Sequence, residues 1–331
     1  MKILHLRSQR SRMPGGVFAE KLKKIATYDD IPFDPEMPEE QLIDLIGQYD
    51  VLLTIWGHFP IPPALAKKPG NLKYICNVSG TLKDWVPQEI IDSHIIVTNW
   101  GDAPANSIAE GAMALLLAAL KDIPTFVLNA RQGINGRGNY PGGTLYNARV
   151  AIYGMGVIAL RFVEMIRPFG AKLYVYDPYV DTLPEGCVRV DSLDALCANA
   201  DILVVHAGRS EETDYSITAK HLAMLPDNGV IVNTARWELF NQKDLFEALK
   251  DGRLRAGIDV MDGDHLPKDE SARQYPNMMY TSHQVGAADW PPLQDGELPR
   301  MYEVALENLT RFKNGEAVKF VMDAHRYARS T

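Results

Sequence analysis

Residues 149–177, RVAIYGMGVIALRFVEMIRPFGAKLYVYD, leave a chain few choices. A short apolar run of strand type leads into Gly154-Met155-Gly156-Val157-Ile158-Ala159, a helical stretch follows, and a second strand closes on Asp177. This is G-x-G-x-x-A between a strand and a helix, the setting a phosphate-binding turn requires. Gly154 permits the tight turn, Gly156 lets backbone approach a pyrophosphate, and Ala159 lets helix and strand pack closely. Met155, Val157 and Ile158 complete the turn, and the helix N-terminus supplies free N–H groups and a partial positive charge for phosphates. Asp177 lies 23 residues after Gly154. A carboxylate there accepts hydrogen bonds from adenosine ribose hydroxyls and repels a 2′-phosphate, so the expected cofactor is NAD rather than NADP.

The rest of the chain repeats the same rhythm. Strands are expected at RVAIY, KLYVYD, DILVVH, GVIVN, LRAGIDV and NMMYTS, with helices such as NQKDLFEALKDG between most of them. Short β-rich runs alternating with helices imply an α/β fold with a doubly wound parallel sheet. The first hundred residues alternate in the same way (KILHL, DVLLTI, LKYICNV, IIVTN), and 331 residues accommodate about two domains. Ser107 and Glu110 form an S-x-x-E capping box ahead of a long apolar helix, with Pro104 just upstream, which places a junction near residues 100–106. The glycine-rich stretch 131–143 precedes a strand, not a helix, and reads as an exposed arm.

Bulk properties exclude several classes. A net charge of −8 argues against a broad nucleic-acid footprint. The start carries no signal-peptide pattern, and the longest apolar run, residues 112–120, is far short of a span, so no membrane role is expected. Three widely spaced cysteines, Cys76, Cys187 and Cys197, fit a reducing cytoplasm. The histidines show no H-x-x-x-H or H-E-x-x-H spacing, so no metal is expected, and no G-x-S-x-G elbow is present.

The polar residues at the strand ends are more specific. Asp177, His206, Arg236, Asp259 and His283 each follow a strand of the second sheet. In an open α/β sheet the ligand lies outside those carboxyl ends. Reduction of a 2-keto acid needs a cation for the carboxylate, a proton donor for the carbonyl oxygen, and an acid that orients the donor. Arg236 offers a planar fork, His283 an imidazole suited to neutral pH, and Asp262 or Asp264 the acid. Asp259 is better placed as a partner for the nicotinamide carboxamide. Trp56, Phe59, Trp85, Trp237 and Trp290 are candidates to wall a pocket, with core packing as the plainer reading.

These residues resemble the D-isomer-specific 2-hydroxyacid dehydrogenase family. VTNWGDAPANSIAE, VAIYGMGVIA, YDP (176–178), DILVVHAGRSEET, VIVNTARWELFNQKDLFEALKDGRLRAGIDV and TSHQVG are similar to its blocks, in the family's order. The likeness implies two doubly wound parallel-sheet domains, with a Rossmann cofactor domain inserted into a flavodoxin-like substrate domain. The expected bounds are 1–102 with 291–331 for the substrate domain and 103–290 for the cofactor domain. It implies Arg236 as binder of substrate carboxylate and carbonyl, His283 as general acid/base, and Asp264 as its partner. NVSGT (77–81) matches the loop whose amides meet the substrate carboxylate, which makes Val78, Ser79 and Gly80 candidates. Pro178, His206, Ala207, Thr213, Thr234, Ala235, Asp259 and Gly286 fall at cofactor-proximal positions. The implied ligands are NAD and a small 2-keto or 2-hydroxy acid, and the implied assembly is a homodimer with the 131–143 arm near the contact.

The sequence departs from the family's pattern at four places. Trp237 replaces the glycine after the arginine, Asp264 replaces a glutamate, His265 replaces the following proline, and Gly208 replaces a proline after His206. Two other readings of the same fold stand beside the dehydrogenase: an NAD(H)-sensing protein like the related corepressors, and a formate-type dehydrogenase. Asp264 beside the histidine speaks against the latter. No further regulatory domain follows residue 331, so a multidomain serine-pathway enzyme is not expected.

Overall fold

The computed structural model describes residues 1–8, 16–134, 142–266, 270–286 and 293–329. The central part of the expected arm (135–141) and Trp290 lie outside them. The chain forms two compact units, one from Met1–Pro104 with Asp289–Thr331, the other from Ala105–Ala288.

The first unit opens with β1 (Lys2–Arg7), α1 (Val17–Ile25), β2 (Thr27–Pro32), α2 (Glu39–Ile46), β3 (Val51–Thr54), β4 (Tyr74–Asn77), α3 (Gln88–Ile91) and β5 (Ile96–Thr98). Its sheet runs β2-β1-β3-β4-β5 with every pairing parallel, the flavodoxin-like order. Alternate residues of β3 enter opposite layers: Leu52 joins Leu4, Leu6 and Ile75, while Val51 and Leu53 join Ile3 and Tyr74. Covering on both faces explains why this strand reads as an unbroken apolar run.

The second unit holds α4 (Ala105–Leu120), α5 (Ile123–Arg131), β6 (Arg149–Tyr153), α6 (Val157–Ile166), β7 (Lys172–Tyr176), β8 (Cys187–Arg189), α7 (Leu193–Ala198), β9 (Ile202–Val205), α8 (Ala219–Met224), β10 (Val230–Asn233), α9 (Gln242–Lys250), β11 (Arg255–Ile258) and β12 (Met278–Tyr280). Its seven parallel strands run β12-β11-β10-β9-β6-β7-β8. The order reverses between β6 and β9, a topological switch point where doubly wound sheets take their ligands. Two last helices, α10 (Arg300–Lys313) and α11 (Ala324–Arg329), belong to the first unit.

Helix α4 begins two residues before the expected cap, so Ser107 sits in its first turn rather than ahead of it. Its far end is closed by a buried cation: Arg255 Nη1 donates to the carbonyls of Ala119 and Leu120 at 3.4 Å. A positive group there suits the negative end of the helix dipole. Among the described residues no single helix is long and apolar enough to cross a membrane.

Candidate active site

The glycine turn sits at the switch point. Gly154 has φ +87°, and a Cβ there would lie 2.5 Å from the backbone N and Cα of Ala207. Ala207 contributes that close backbone approach between the ends of β6 and β9. Gly156 caps α6 with no side-chain partner, and nothing lies within 4 Å of where its Cβ would stand. Val157 beside it is exposed, Ile158 is half-buried, and Met155 and Ala159 point into the core. Asp177 bridges back over the turn: Oδ2 accepts from Met155 N at 2.7 Å and Oδ1 from Tyr179 N at 2.8 Å. A carboxylate offers about four acceptor sites, so two remain. An open cradle at a helix N-terminus beside an acid with acceptors to spare fits a dinucleotide.

Next to this turn, Pro178 is exposed and the Tyr179 hydroxyl donates to Glu212. Thr213 folds its own loop, its Oγ1 donating to Gly208 O at 2.9 Å and accepting from Ser210 N at 2.7 Å. His206 packs against Phe162, ring centroids 5.1 Å apart, with its Nε2 buried and without a partner. Burial pulls its pKa down to about 4, so it is a neutral packing group at physiological pH.

The pair of His283 and Asp264 is assembled from two strained turns. His283 Nδ1 lies 3.0 Å from Asp264 Oδ1. Both residues have left-handed backbone, φ 57° and 54°, and so do their neighbours Ser282 and Gly263. Such conformations cost about 1–3 kcal/mol for each non-glycine residue and gather at functional sites. The pair of left-handed residues at 263–264 lets aspartate, a methylene shorter than glutamate, reach the ring. Asp259, buried, holds the other turn: its carbonyl accepts from His283 N at 2.6 Å, and its Oδ1 accepts from Thr281 Oγ1 at 2.5 Å, Gln284 N at 3.0 Å and Val285 N at 3.1 Å. Asp259 Oδ2 takes no donor among the described residues. His283 and Asp264 are 49% and 61% exposed in their side chains, open to a ligand. Gly286 is small for packing reasons, since a Cβ there would meet Ile108 at 2.8 Å.

Arg236 follows β10 on a turn pinned by Asn233, whose Nδ2 donates to Arg236 O at 3.0 Å and whose Oδ1 accepts from Ala235 N at 3.0 Å. Its Nη1 donates to Ala235 O at 2.7 Å. Burial lowers its pKa, opposed by the carboxylates of Glu238 and then Asp264. Asp264 therefore acts electrostatically on Arg236 while it bonds to His283. Thr234 Oγ1 is buried without a partner. Asp262, the alternative acid, has its N–H on Gln242 and no bond to His283 among the described residues.

In the first unit, the loop after β4 is a nest of amides. Asn77 Nδ2 donates to Ser79 O at 2.8 Å and Thr81 O at 3.0 Å, Trp100 N donates to Ser79 O at 3.3 Å, and Asn99 Nδ2 donates to Gly80 O at 3.2 Å. The carbonyls are tied back, and the N–H groups of Ser79, Gly80 and Thr81 have no acceptor among the described residues. Such a run of free amides attracts anions. Val78 needs correcting: its N–H continues the β3–β4 ladder onto Thr54 O at 2.8 Å and its side chain is fully buried. The Thr81 N–H, which the sequence reading passed over, has no such partner among the described residues.

Of the aromatic candidates, Phe59 and Trp85 are core, Phe59 stacked on Phe33. Trp56 stays 44% exposed and meets Trp100 edge-on, and Trp100 covers Gly80 so closely that a Cβ there would lie 2.4 Å from the indole. Trp237 meets Tyr215, centroids 6.2 Å apart. Sequence reasoning also missed Asn233, Thr281 and Asn99. Their signal is an Asn or Thr at a strand's end, where a short side chain can bond its own turn.

Comparison with known proteins shows what the chain is similar to. Residues 113–285 match the model of the D-isomer specific 2-hydroxyacid dehydrogenase NAD binding domain. A D-3-phosphoglycerate dehydrogenase of Methanocaldococcus jannaschii is 29% identical over 274 residues, which is 82% of this chain and 52% of that protein, so the chain spans about half its length. A glyoxylate reductase of Korarchaeum cryptofilum is 29% identical over 282 residues, 83% of each chain. Among solved structures, D-lactate dehydrogenase with NAD+ from Lactobacillus jensenii superposes with a TM-score of 0.74 at 21% identity, over 98% of this chain and 100% of that one, a likeness of fold.

Proposed function

The chain belongs to the D-isomer-specific 2-hydroxyacid dehydrogenase family, with residues 113–285 forming the NAD-binding domain, and from that membership we propose that it interconverts a 2-keto acid and a D-2-hydroxy acid. Bound NADH supplies the hydride. The residues of the chain do the rest. Arg236 binds the substrate carboxylate and polarises the carbonyl, and the amides of Ser79, Gly80 and Thr81 are separate donors suited to a carboxylate. His283 delivers a proton from Nε2 to the carbonyl oxygen as carbon is reduced, and takes it back in the other direction. Asp264 fixes the ring through Nδ1 and leaves Nε2 for the substrate. Asp177 accepts from the adenosine ribose, and Asp259 offers Oδ2 to the carboxamide.

The observation that carries this reading is the 3.0 Å pairing of His283 with Asp264 on two left-handed turns. A protein that merely senses dinucleotide has no need of a strained, solvent-facing imidazole–carboxylate pair. The test is NADH and NADPH oxidation with glyoxylate, hydroxypyruvate, pyruvate and bulkier keto acids. Turnover of at least one of them, faster with NADH, is expected. Tight NADH binding with no turnover of any would favour the sensing protein instead.

The assembly we propose is a homodimer. Helix α5 buries none of its residues and presents Ile123, Phe126, Val127 and Leu128 at 37–46% exposure. A cluster of that kind marks an interface. Sedimentation should give twice the 36.9 kDa chain mass, and Leu128→Asp should shift it towards monomer. A monomeric wild type would refute the dimer. We place the protein in the cytoplasm, in keeping with its three unpaired cysteines.

A further inference from the structure

The end of the chain is tied to the amide nest of the first unit. Val321 bridges Thr98, Met322 N donates to Val97 O at 2.8 Å, and the Tyr327 hydroxyl donates to Val86 O at 2.6 Å. Phe320 lies on Gly101, where a Cβ would meet its ring at 2.3 Å. These contacts deliver Arg326, half-buried, to the turn that carries Asn99. Its Nη2 donates to Asn99 Oδ1 at 2.9 Å and its Nη1 to Val321 O at 3.1 Å, while its guanidinium carbon stands 6.0 Å from the Phe320 ring centre. Asn99 then donates through Nδ2 to Gly80 O at 3.2 Å.

Gly80 O and the N–H of Thr81 are two ends of one peptide unit. A donor on that oxygen draws electrons from the amide and makes its N–H a stronger donor. Chains of hydrogen bonds polarise one another in this way, most when a full charge stands at the head. Asp323 is the carboxylate nearest in effect to Arg326, and its Oδ1 accepts from Arg326 N at 2.7 Å. The guanidinium itself is spent on Asn99 and a carbonyl, so its charge is not cancelled by a direct carboxylate bond among the described residues.

We propose that Arg326 is a positioning residue for substrate binding. Through Asn99 it orients the Gly80–Thr81 peptide and strengthens the Thr81 amide as a donor to the substrate carboxylate. The inference rests on the reading that the nest binds that carboxylate. It assigns helix α11 a part in anion affinity although Arg326 is two hydrogen bonds away from the peptide that would meet the anion.

The test compares wild type, Arg326→Gln and Arg326→Lys. The measurements are kcat and KM for the best keto acid, and calorimetric binding of oxalate to the NAD-loaded enzyme. Gln keeps a donor but loses the charge, and Lys keeps the charge. Arg326→Gln should raise both KM and the oxalate Kd by about fivefold to tenfold, the worth of roughly one net hydrogen bond. Its kcat should stay within about twofold, and Lys should recover most of the loss. A wild type that turns over keto acids while Arg326→Gln matches it in KM and oxalate affinity overturns this inference alone. So does a Gln variant that loses kcat with KM unchanged. A wild type with neither turnover nor oxalate binding overturns the functional reading, and this inference with it. If the Gln variant fails to fold, Asn99→Asp interrupts the same relay, because its carboxylate cannot donate to Gly80 O, and wild-type oxalate affinity in that variant is equally fatal.

Discussion

His283→Ala is expected to lower kcat for the preferred keto acid by about 10²–10⁴-fold, the usual worth of a positioned acid/base. NADH binding should persist in the variant. The glycine turn, Asp177 and the α6 N-terminus stand on other strands of the sheet and keep their geometry. The loss should appear in kcat as well as in kcat/KM, since proton delivery is made in the transition state. Asp264→Asn should lose less, because an amide can still hold the ring through Nδ1. Stopped-flow measurement of NADH consumption decides the matter: a His283→Ala enzyme within about fivefold of wild type would remove the histidine from the chemistry.

The second large effect belongs to Arg236. Leaving a buried charge partner unmatched costs about 2–5 kcal/mol. Arg236→Gln should therefore lower kcat/KM by about 30- to 5,000-fold at about 1.36 kcal/mol per decade. Arg236→Lys should fall between the two, since an ammonium keeps the charge but loses the planar fork. Glu238 beside it already draws on the guanidinium electrostatically, so the substrate carboxylate competes with a resident acid for the same cation. Steady-state kinetics on the three enzymes test this. Equal kcat/KM for wild type and Gln would place the substrate carboxylate elsewhere.

Much of the architecture was legible because it rests on periodicity and on residue types with few alternatives. The strand of 149–153, the glycines at 154 and 156, and the acid at 177 could hardly mean anything else once they stood in register. The pairing of His283 with Asp264 was legible, but not the way they meet, which depends on left-handed backbone at Gly263, Asp264, Ser282 and His283. Nothing in a side-chain pattern announces a positive φ at aspartate or histidine. His206 looked like its neighbours at the strand ends, and its contact with Phe162 is one that no strand-end pattern announces. That Val78 N–H is already spent on Thr54 was not legible, because that ladder bond is a matter of strand register. Arg326 was invisible for a simpler reason: its partner, Asn99, lies 227 residues away in the chain.

Arg236 and His283 are proposed to act on one substrate. A crystal structure of the protein with NAD and oxalate tests it most directly. The expected result is Arg236 turned from the Ala235 carbonyl onto the oxalate, with His283 Nε2 within about 2.6–3.2 Å of an oxygen of the same oxalate. An ordered oxalate that touches neither side chain, or Arg236 without His283, would contradict it.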